Sequence, residues 1–228
     1  MAADGDSYHS TAQSRLRDPG LLQFHPEEDR RPWSAISLLH SNGQLANPFA
    51  EYSGIDSKLR DKPMLRVWDT FSGSIPGSSA GNRMLARSKR EVLATRDQRA
   101  SSLELHADHA KRLPTPYISF TASPTAAEDL IKHRTHKTKR GDQNLVAIDP
   151  KYRLQHGLPI LDMGEEMIVY GIDDPYPHGP NYFIDHYICL WEVTPREVVG
   201  VWSWHDLRED NDWYENIIMP AFREYRAR

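Results

Sequence analysis

Three polar residues that lie in otherwise apolar stretches have side chains capable of chemistry: Arg66, Ser119 and Glu166. Arg66 and Ser119 each stand between two large apolar residues, and Glu166 is followed by the apolar run 167–169. A polar group in such a stretch needs a partner or a cleft, because burying it alone is costly. A guanidinium binds phosphate or carboxylate groups, a serine hydroxyl can accept an acyl group, and a glutamate can act as a general base. We therefore predict that these three residues are catalytic.

Each of the three also has a purely structural interpretation. Arg66 can form an ion pair with Asp69 or a glutamate, Ser119 can be a buried hydroxyl bonded to the backbone, and Glu166 can be a solvated residue at a strand end. A catalytic role requires more, because side chains far apart in the chain must then converge on one pocket wall. Their positions in the fold decide between the two interpretations.

Alternation of apolar and polar residues, bounded by turn-forming residues, predicts the strands that carry these candidates. The predicted strands are 64–69, 117–121, 144–148, 165–170, 182–193 and 198–204. Helical spacing of apolar residues predicts helices at 33–40, 79–98, 101–112, 123–133 and 210–225. The helix at 123 has the clearest start, because Ser123 can cap it and Pro124 suits its first position. Pro220 is expected to kink the last helix.

This order of elements, with helices early and a crowd of strands later, predicts an α+β fold with a mostly antiparallel sheet. Strict alternation of strands and helices is absent from the sequence, and so are the glycine-rich phosphate loops GxGxxG and GxxxxGK. Residues 1–31 are polar and rich in Asp, Arg, Ser and Pro, so we expect a flexible N-terminal tail. Residues 32–228 are predicted to form a single catalytic domain.

The composition restricts the classes of site and of location. The 228 residues include a single cysteine, Cys189, which excludes a disulfide framework and a cysteine-based zinc site. The spacings His106-x-x-His109 and His133-x-x-His136 are compatible with metal binding, but each lacks a third plausible ligand nearby, and we expect no metal. The sequence has no signal peptide and no apolar stretch long enough for a bilayer, so we expect a cytoplasmic protein.

A basic segment, residues 132–140, interrupts a chain whose formal net charge is −4. The segment holds five Lys or Arg, two His and no acid, and further basic residues lie at 83–99. Such patches neutralise phosphates, which predicts a contact with tRNA or another nucleic acid; the alternative is a solvated loop and helix face. The candidate nucleic-acid-binding residues are Arg87, Lys89, Arg90, Lys132, Arg134, Lys137, Lys139 and Arg140.

The catalytic candidates and their neighbours resemble the motifs of the Arg-Ser-Glu class of ADP-ribosyltransferases. The segments are 65–69, 117–123 and 165–171, and the stretch 64–204 as a whole is similar to a group of uncharacterised fungal proteins of this plan. The resemblance implies a split, mostly antiparallel central sheet with flanking helices. It also implies that NAD binds with its phosphate on the Arg and its ribose on the Ser and Glu. Where that family often has Ser-Thr-Ser and Glu-x-Glu, this chain has Ser-Phe-Thr and Gly164, which disfavours transfer to protein arginine.

In size and composition the chain is also similar to the fungal arginine-containing cyclodipeptide synthases of secondary metabolism. This resemblance implies that arginine and a second amino acid are taken from aminoacyl-tRNA and closed into a diketopiperazine. The donor ester is already activated, so no cofactor is expected. The substrate-binding candidates are carboxylates suited to a guanidinium, a histidine suited as a general base, and a tyrosine in the loop after the Glu166 strand. They are Asp69, Glu165, Asp185, His186 and Tyr176.

Three hypotheses of function follow. The first is tRNA-dependent synthesis of an arginine-containing cyclodipeptide on an ADP-ribosyltransferase-like scaffold. The alternative is an NAD-dependent ADP-ribosyltransferase or NAD glycohydrolase. The second alternative is a non-catalytic nucleic-acid-binding module that uses the basic segment.

Overall fold

A computed structural model of the chain describes residues 59, 61–77, 80–91, 93–156, 158–176 and 182–228. The predicted tail at 1–31 and the predicted helix at 33–40 lie outside the described residues. The assignment of 32–228 to a single catalytic domain stays a prediction. Among the described residues, no helix has both the length and the apolar character needed to cross a bilayer.

A six-stranded antiparallel sheet forms the centre of the fold. The described strands are β1 (Met64–Trp68), β2 (Met84–Leu85), β3 (Tyr117–Thr121), β4 (Asn144–Ile148), β5 (Ile160–Asp162), β6 (His186–Leu190), β7 (Glu192–Val193) and β8 (Val198–Ser203). Neighbours in the large sheet follow the order β5-β6-β3-β1-β4-β8, and every pairing is antiparallel. Strands β2 and β7 form a separate two-stranded antiparallel sheet.

Helices flank this sheet. They are α1 (Arg96–Ala107), α2 (Pro124–Lys132), α3 (Pro150–Gln155), α4 (Met163–Tyr170), α5 (Trp204–Leu207) and α6 (Met219–Ala227). π-Helical turns at His133–Lys137 and Tyr214–Ile218 follow α2 and precede α6. The expectation of an α+β architecture with an antiparallel sheet is confirmed at this level.

The predictions for β1, β3, β4, β8 and α2 are confirmed, with bounds within a residue or two of those expected. Helix α2 starts as predicted, because the Ser123 side chain accepts a hydrogen bond from the Ala126 amide at 3.2 Å. Pro124 occupies the first turn, where its missing N–H leaves no hydrogen bond unmade. The local chemistry of these residues is therefore sufficient to define this part of the fold.

The predicted helix at 79–98 is wrong, and the predicted helix at 101–112 is displaced. Residues Met84 and Leu85 pair with β7 instead, so tertiary pairing overrides their helical spacing. Helix α1 begins at Arg96 because Thr95 and Gln98 form a capping box. The Thr95 hydroxyl accepts from the Gln98 amide at 3.1 Å, and the Gln98 side chain accepts from the Thr95 amide at 3.2 Å.

The predicted strand at 165–170 is also wrong, because these residues belong to helix α4. The Asp162 carboxylate caps the helix by accepting a hydrogen bond from the Glu165 amide at 3.2 Å, and Gly171, with a φ of 66°, ends it. Met163, Glu166 and Met167 are buried, whereas the consecutive Ile168 and Val169 are exposed, which fits the spacing of a short amphipathic helix and not the alternation of a strand. Glu166 is therefore presented by a helix.

The predicted strand at 182–193 is interrupted, and the last helix begins late. Asp185 and Trp191 both have positive φ values, 58° and 62°, which delay the start of β6 and separate it from β7. Pro220 lies in the first turn of α6, directly after the second π-helical turn. Residues 213–227 are thus helical without a break, as predicted for most of this segment, and the π-helical turn lies directly before the proline.

Separate hydrophobic cores cover the two faces of the central sheet. One face holds a single cluster that includes Met64, Ile118, Phe120, Val146 and Cys189. The other face holds two clusters, one shared with α1 and α4 and one shared with α2 and the C-terminal helices. The first of these includes Tyr117, Ile188, Leu103 and Met167, and the second includes Leu65, Leu145, Ala127 and Ile218.

Strand alternation puts Arg66 and Ser119 on opposite faces of the sheet. Successive side chains of a strand point to opposite faces, so Arg66 shares its face with Met64, and Ser119 shares its face with Tyr117. Met64 and Tyr117 belong to cores on different faces. A direct contact between the side chains of Arg66 and Ser119 is therefore not expected.

One buried cation, Arg153, connects several segments of the fold. Arg153 in α3 is fully buried, and its Nε donates to the Glu197 carboxylate at 2.7 Å. Its Nη1 donates to the Pro159 carbonyl at 3.0 Å, and its Nη2 donates to the Glu192 carbonyl. Arg153 therefore has a structural role.

Candidate active site

Arg66 lies on the central strand β1, where the pairing between β1 and β3 stops. These strands have one registered pair, Leu65 with Thr121, whereas β1–β4 and β3–β6 each have five. The Arg66 Nε donates to the Ser74 carbonyl at 3.1 Å, and Nη1 donates to the Ser119 carbonyl at 2.9 Å. The guanidinium thus joins two strands at the point where they diverge.

The Arg66 guanidinium keeps its charge in a partly buried position. Burial lowers its pKa to about 10, and the nearby charge of Arg134 acts in the same direction. Within the described part of the chain, its hydrogen bonds go to neutral carbonyls, and no carboxylate lies within ion-pair distance of it. A cation held in this way favours the approach of an anionic ligand group such as a phosphate.

Ser119 on β3 forms a hydrogen-bonded pair with His106 in the last turn of α1. The His106 Nε2 lies 2.7 Å from the Ser119 hydroxyl, and its Nδ1 lies 2.8 Å from the Thr115 hydroxyl. The imidazole ring also packs on Tyr117, with ring centroids 5.2 Å apart. A nucleophile, a base and a third group that orients the base are the elements of an activated hydroxyl.

The imidazole of His106 is held neutral. Burial lowers its pKa to about 3, with smaller contributions from the charges of His109 and Arg66. A neutral imidazole donates from one ring nitrogen and accepts at the other. With the proton on Nδ1, facing Thr115, the Nε2 lone pair can accept the proton of the Ser119 hydroxyl.

Glu166 is linked to the Ser119–His106 pair through Tyr117. It is 2% exposed on α4, and its charge adds to burial in raising the pKa of Tyr117. It also contributes, after burial and the opposing effect of Arg99, to the raised pKa of Tyr170. Glu166 therefore lies on the same face as Ser119, with Tyr117 as the intermediate residue.

The three predicted catalytic residues are thus brought together in part. Arg66 donates a hydrogen bond to the Ser119 carbonyl. The charge of Glu166 acts on Tyr117, whose ring packs on His106. The side chains of Arg66 and Ser119 nevertheless point to opposite faces of the sheet. A surface depression of about 390 Å³ nearby is lined by other residues, which are Glu91, Asp97, Gln98, Ser101, Ser102 and Leu105.

His106 was considered from the sequence only for its spacing to His109, and the structure places it in contact with Ser119 in the candidate site. A signal was present, because His106 lies three residues after Leu103 and beside Ala107, which form the buried face of α1. Because the helices predicted at 79–98 and 101–112 had the wrong bounds, the sequence did not show which residues form this face. Nothing in the sequence around Thr115, which precedes Pro116 at the start of β3, indicated its contact with His106.

Asp69, predicted to bind substrate, holds the basic segment instead. Its side chain is fully buried, and its Oδ1 accepts from Arg140 Nη2 at 2.6 Å. Arg134 lies 3.7 Å from its other oxygen. Burial alone would raise the pKa of Asp69, but the hydrogen bond from Arg140 and the charge of Arg134 lower it. The carboxylate is therefore ionised and occupied by the protein's own cations.

Tyr176 contacts the end of α1. Its hydroxyl accepts from the Ala110 amide at 2.8 Å and donates to Asp108 at 3.1 Å. Its ring stacks on His109 with centroids 6.0 Å apart. Tyr176 thus holds the turn that follows the helix carrying His106.

The other substrate-binding candidates lie at separate places. Glu165 is exposed on α4. Asp185 accepts a hydrogen bond at its backbone carbonyl from the Ala122 amide at 2.9 Å. His186 begins β6 opposite Thr121, and its ring meets Tyr182 edge-on at 5.3 Å.

The basic candidates lie in two places, the segment 132–140 and the turn at 87–90. Arg134 and Arg140 are bound to Asp69, and Arg134 also donates to the Val67 carbonyl at 3.0 Å. Lys132 pairs with Glu128 at 3.4 Å along α2. Lys137 and Lys139 are exposed on the segment's outer side.

The residues predicted at 87–90 form an exposed turn rather than a helix face. Arg87 in this turn donates to the Arg112 carbonyl at 2.8 Å, and Lys89 and Arg90 are exposed. The turn therefore presents its charges separately from helix α1.

Comparison with known proteins gives a family but no activity. No curated protein matches the chain. A family model described as Domain of unknown function (DUF7587) matches residues 61–207, a range that runs from just before β1 to the end of α5. This range includes Arg66, His106, Ser119 and Glu166, and more than half of the sequence. The chain therefore belongs to the DUF7587 family.

Proposed function

We propose that the chain is an acyltransferase that takes arginine and a second amino acid from aminoacyl-tRNA and joins them in a cyclodipeptide. The observation that carries the proposal is the 2.7 Å hydrogen bond between Ser119 and a neutral His106. Both side chains are only partly buried, so a substrate can approach them. The proposal needs a nucleophile and a base in contact, and this pair supplies the contact. A pKa of about 3 makes His106 a weak base, so the proposal requires that this pKa rises when the donor is bound.

The proposed reaction starts with attack of the Ser119 hydroxyl oxygen on the ester carbonyl of aminoacyl-tRNA. The hydroxyl proton moves to His106 Nε2, and the bond between the carbonyl carbon and the ribose oxygen breaks. The ribose oxygen takes the proton from His106 and leaves as tRNA, so that an aminoacyl ester on Ser119 remains.

The amine of a second aminoacyl-tRNA then attacks this ester and forms the first amide. Ser119 leaves as the alkoxide and regains its proton through His106. The free amine of the dipeptide next attacks its own tRNA ester, which closes the diketopiperazine and releases the second tRNA. Because both bonds are made from esters, the sequence of steps needs no ATP at this site.

We assign Arg66 the role of binding an anionic group of the donor tRNA. Its charge is retained, and it lies beside the Ser119 backbone, so a phosphate near the reacting ester would be within its reach. We also propose the ADP-ribosyltransferase-like form of the fold, which is supported by the divergence of β1 from β3 at Arg66. The helical position of Glu166 departs from that plan.

The experiment is a reconstituted reaction with arginine, a second amino acid, ATP, the two aminoacyl-tRNA synthetases and tRNA. Mass spectrometry should detect a diketopiperazine whose formation is abolished by ribonuclease. Ser119→Ala should abolish the product, whereas Ser101→Ala, an exposed serine on α1, should not. Full activity of Ser119→Ala would refute the acyl-enzyme step, and a product insensitive to ribonuclease would refute the tRNA donor.

A second candidate function is NAD-dependent ADP-ribosyl transfer or NAD hydrolysis. It is favoured by one specific observation, the charged Arg66 at the divergence of two central strands, with Glu166 buried on the Ser119 side. Incubation with NAD and measurement of released nicotinamide tests it. Turnover that is lost in Glu166→Gln and retained in His106→Gln would replace the acyltransferase proposal with this one.

A further inference from the structure

The loop that follows β1 exposes a large aromatic side chain. The Phe71 ring is 73% exposed, in a turn held by a hydrogen bond from its amide to Asp69 Oδ1 at 2.9 Å. The guanidinium of Arg140 lies over the ring, with its carbon 6.0 Å from the centroid. A single exposed hydrophobic residue is ordinary. An exposed ring fixed by its backbone and flanked by a cation is a suitable surface for stacking a nucleic-acid base.

The basic segment is held against this loop by its own arginines. Arg140 binds Asp69 at 2.6 Å, and Arg134 donates to the Val67 carbonyl at 3.0 Å. These contacts fix the segment beside Phe71 and leave Lys137 and Lys139 exposed, without an ion pair to the described part of the chain. Two exposed ammonium groups on the segment whose Arg140 lies over the ring complement a base and its neighbouring phosphates.

The same loop reaches the candidate active site. The Ser74 carbonyl, three residues after Phe71, accepts the hydrogen bond from Arg66, and Arg66 also binds the Ser119 carbonyl. The loop that carries Phe71 is therefore joined through Arg66 to β3, so a strand of nucleic acid stacked on Phe71 would lie on a loop connected to the site. The free end of such a strand is where tRNA carries its aminoacyl ester.

We propose that Phe71 stacks on an unpaired nucleotide at the 3′ end of the donor tRNA, while Lys137 and Lys139 contact its phosphates. This inference rests on the proposed function, since it assigns the surface that recognises the same donor. The recognised feature is a single-stranded RNA end, read by stacking and charge with little sequence preference.

The test uses two unacylated RNA hairpins with the sequence of a tRNA acceptor stem, one with a four-nucleotide single-stranded 3′ end and one blunt. Fluorescence anisotropy of wild-type protein should give tighter binding to the tailed hairpin. Phe71→Ala should weaken that binding about tenfold, as expected for loss of one stacked base, and should leave the blunt hairpin unaffected. Phe71→Trp should retain the preference. Ile168→Ala, which removes another exposed apolar side chain, is the control and should match wild type.

Charge is tested with the double substitution of Lys137 and Lys139 to Gln. The slope of log affinity against log salt should decrease by about 1–2 for the tailed hairpin, as expected for the loss of two phosphate contacts. An unchanged slope, or an equal affinity of Phe71→Ala and wild type for the tailed hairpin, would overturn the inference. Since this assay requires no chemistry, tailed-RNA binding without diketopiperazine formation would refute the proposed function alone. Diketopiperazine formation by Phe71→Ala with undiminished binding would refute this inference alone.

Discussion

The placement of His106 can be tested through the pH dependence of stability, using His106→Gln. Glutamine is uncharged at every pH, and its amide can still hydrogen-bond to Ser119 or Thr115. The exposed His156, which bonds only within its own helical segment, provides a matched control as His156→Gln. The comparison isolates the proton that His106 gains on unfolding.

The expected magnitude follows from the pKa difference between the unfolded and folded states. Burial lowers the pKa of His106 from 6.5 to about 3. Between these values the unfolded chain binds the proton and the folded chain does not, so the free energy of unfolding falls as the pH falls. Each pH unit in this window corresponds to about 1.4 kcal/mol. Acidification from about pH 6.5 to about pH 4.5 should therefore remove about 2–3 kcal/mol through His106 alone.

Urea unfolding at these two pH values measures the effect. Wild type and His156→Gln should lose about 2–3 kcal/mol more on acidification than His106→Gln, because both keep the buried His106 that His106→Gln removes. Equal losses in all three would mean that His106 is not held neutral in the fold. The hydrogen-bonded pair with Ser119, and the acyl-transfer mechanism built on it, would then lose their support.

Three further predictions concern other contacts. Ser119→Ala should reduce diketopiperazine formation at least about 1000-fold, measured by mass spectrometry, with an unchanged circular dichroism spectrum. Asp69→Asn leaves Arg140 without its anion and should lower the free energy of unfolding by about 1–3 kcal/mol in urea titrations; an unchanged midpoint would contradict the ion pair. Arg153→Met leaves Glu197 buried and unpaired and should cost about 3–5 kcal/mol, so a stabilised variant would show that the contact is absent.

Elements whose signals are local were predictable from the sequence. β3 and β4 have the predicted bounds because a proline or a polar turn precedes a short run rich in apolar, β-branched or aromatic residues. Helix α2 was predictable because Ser123 and Pro124 together form a start signal that requires no distant partner. The antiparallel character of the sheet followed from the order of such elements.

Elements that depend on distant partners were not predictable. Met84 and Leu85 have helical spacing with later residues, but β7, more than a hundred residues away, pairs with them. The run after Glu165 is apolar enough for a strand, and only the Asp162 cap and the burial of Met167 make it a helix. To predict the Ser119–His106 contact, one must know which face of β3 carries Ser119 and which residues of α1 face the sheet. The predicted bounds of α1 were wrong, so the second of these could not be predicted.

Arg153 has a consequence for how this protein loses its structure. Its guanidinium is satisfied only when α3, the Pro159 carbonyl, the Glu192 carbonyl and the Glu197 carboxylate are all in place. Release of any one of these segments would strand a cation in an apolar interior, which is strongly unfavourable. Partial opening of this region is therefore suppressed, and its amide protons should exchange with solvent only when the whole region unfolds in one cooperative event.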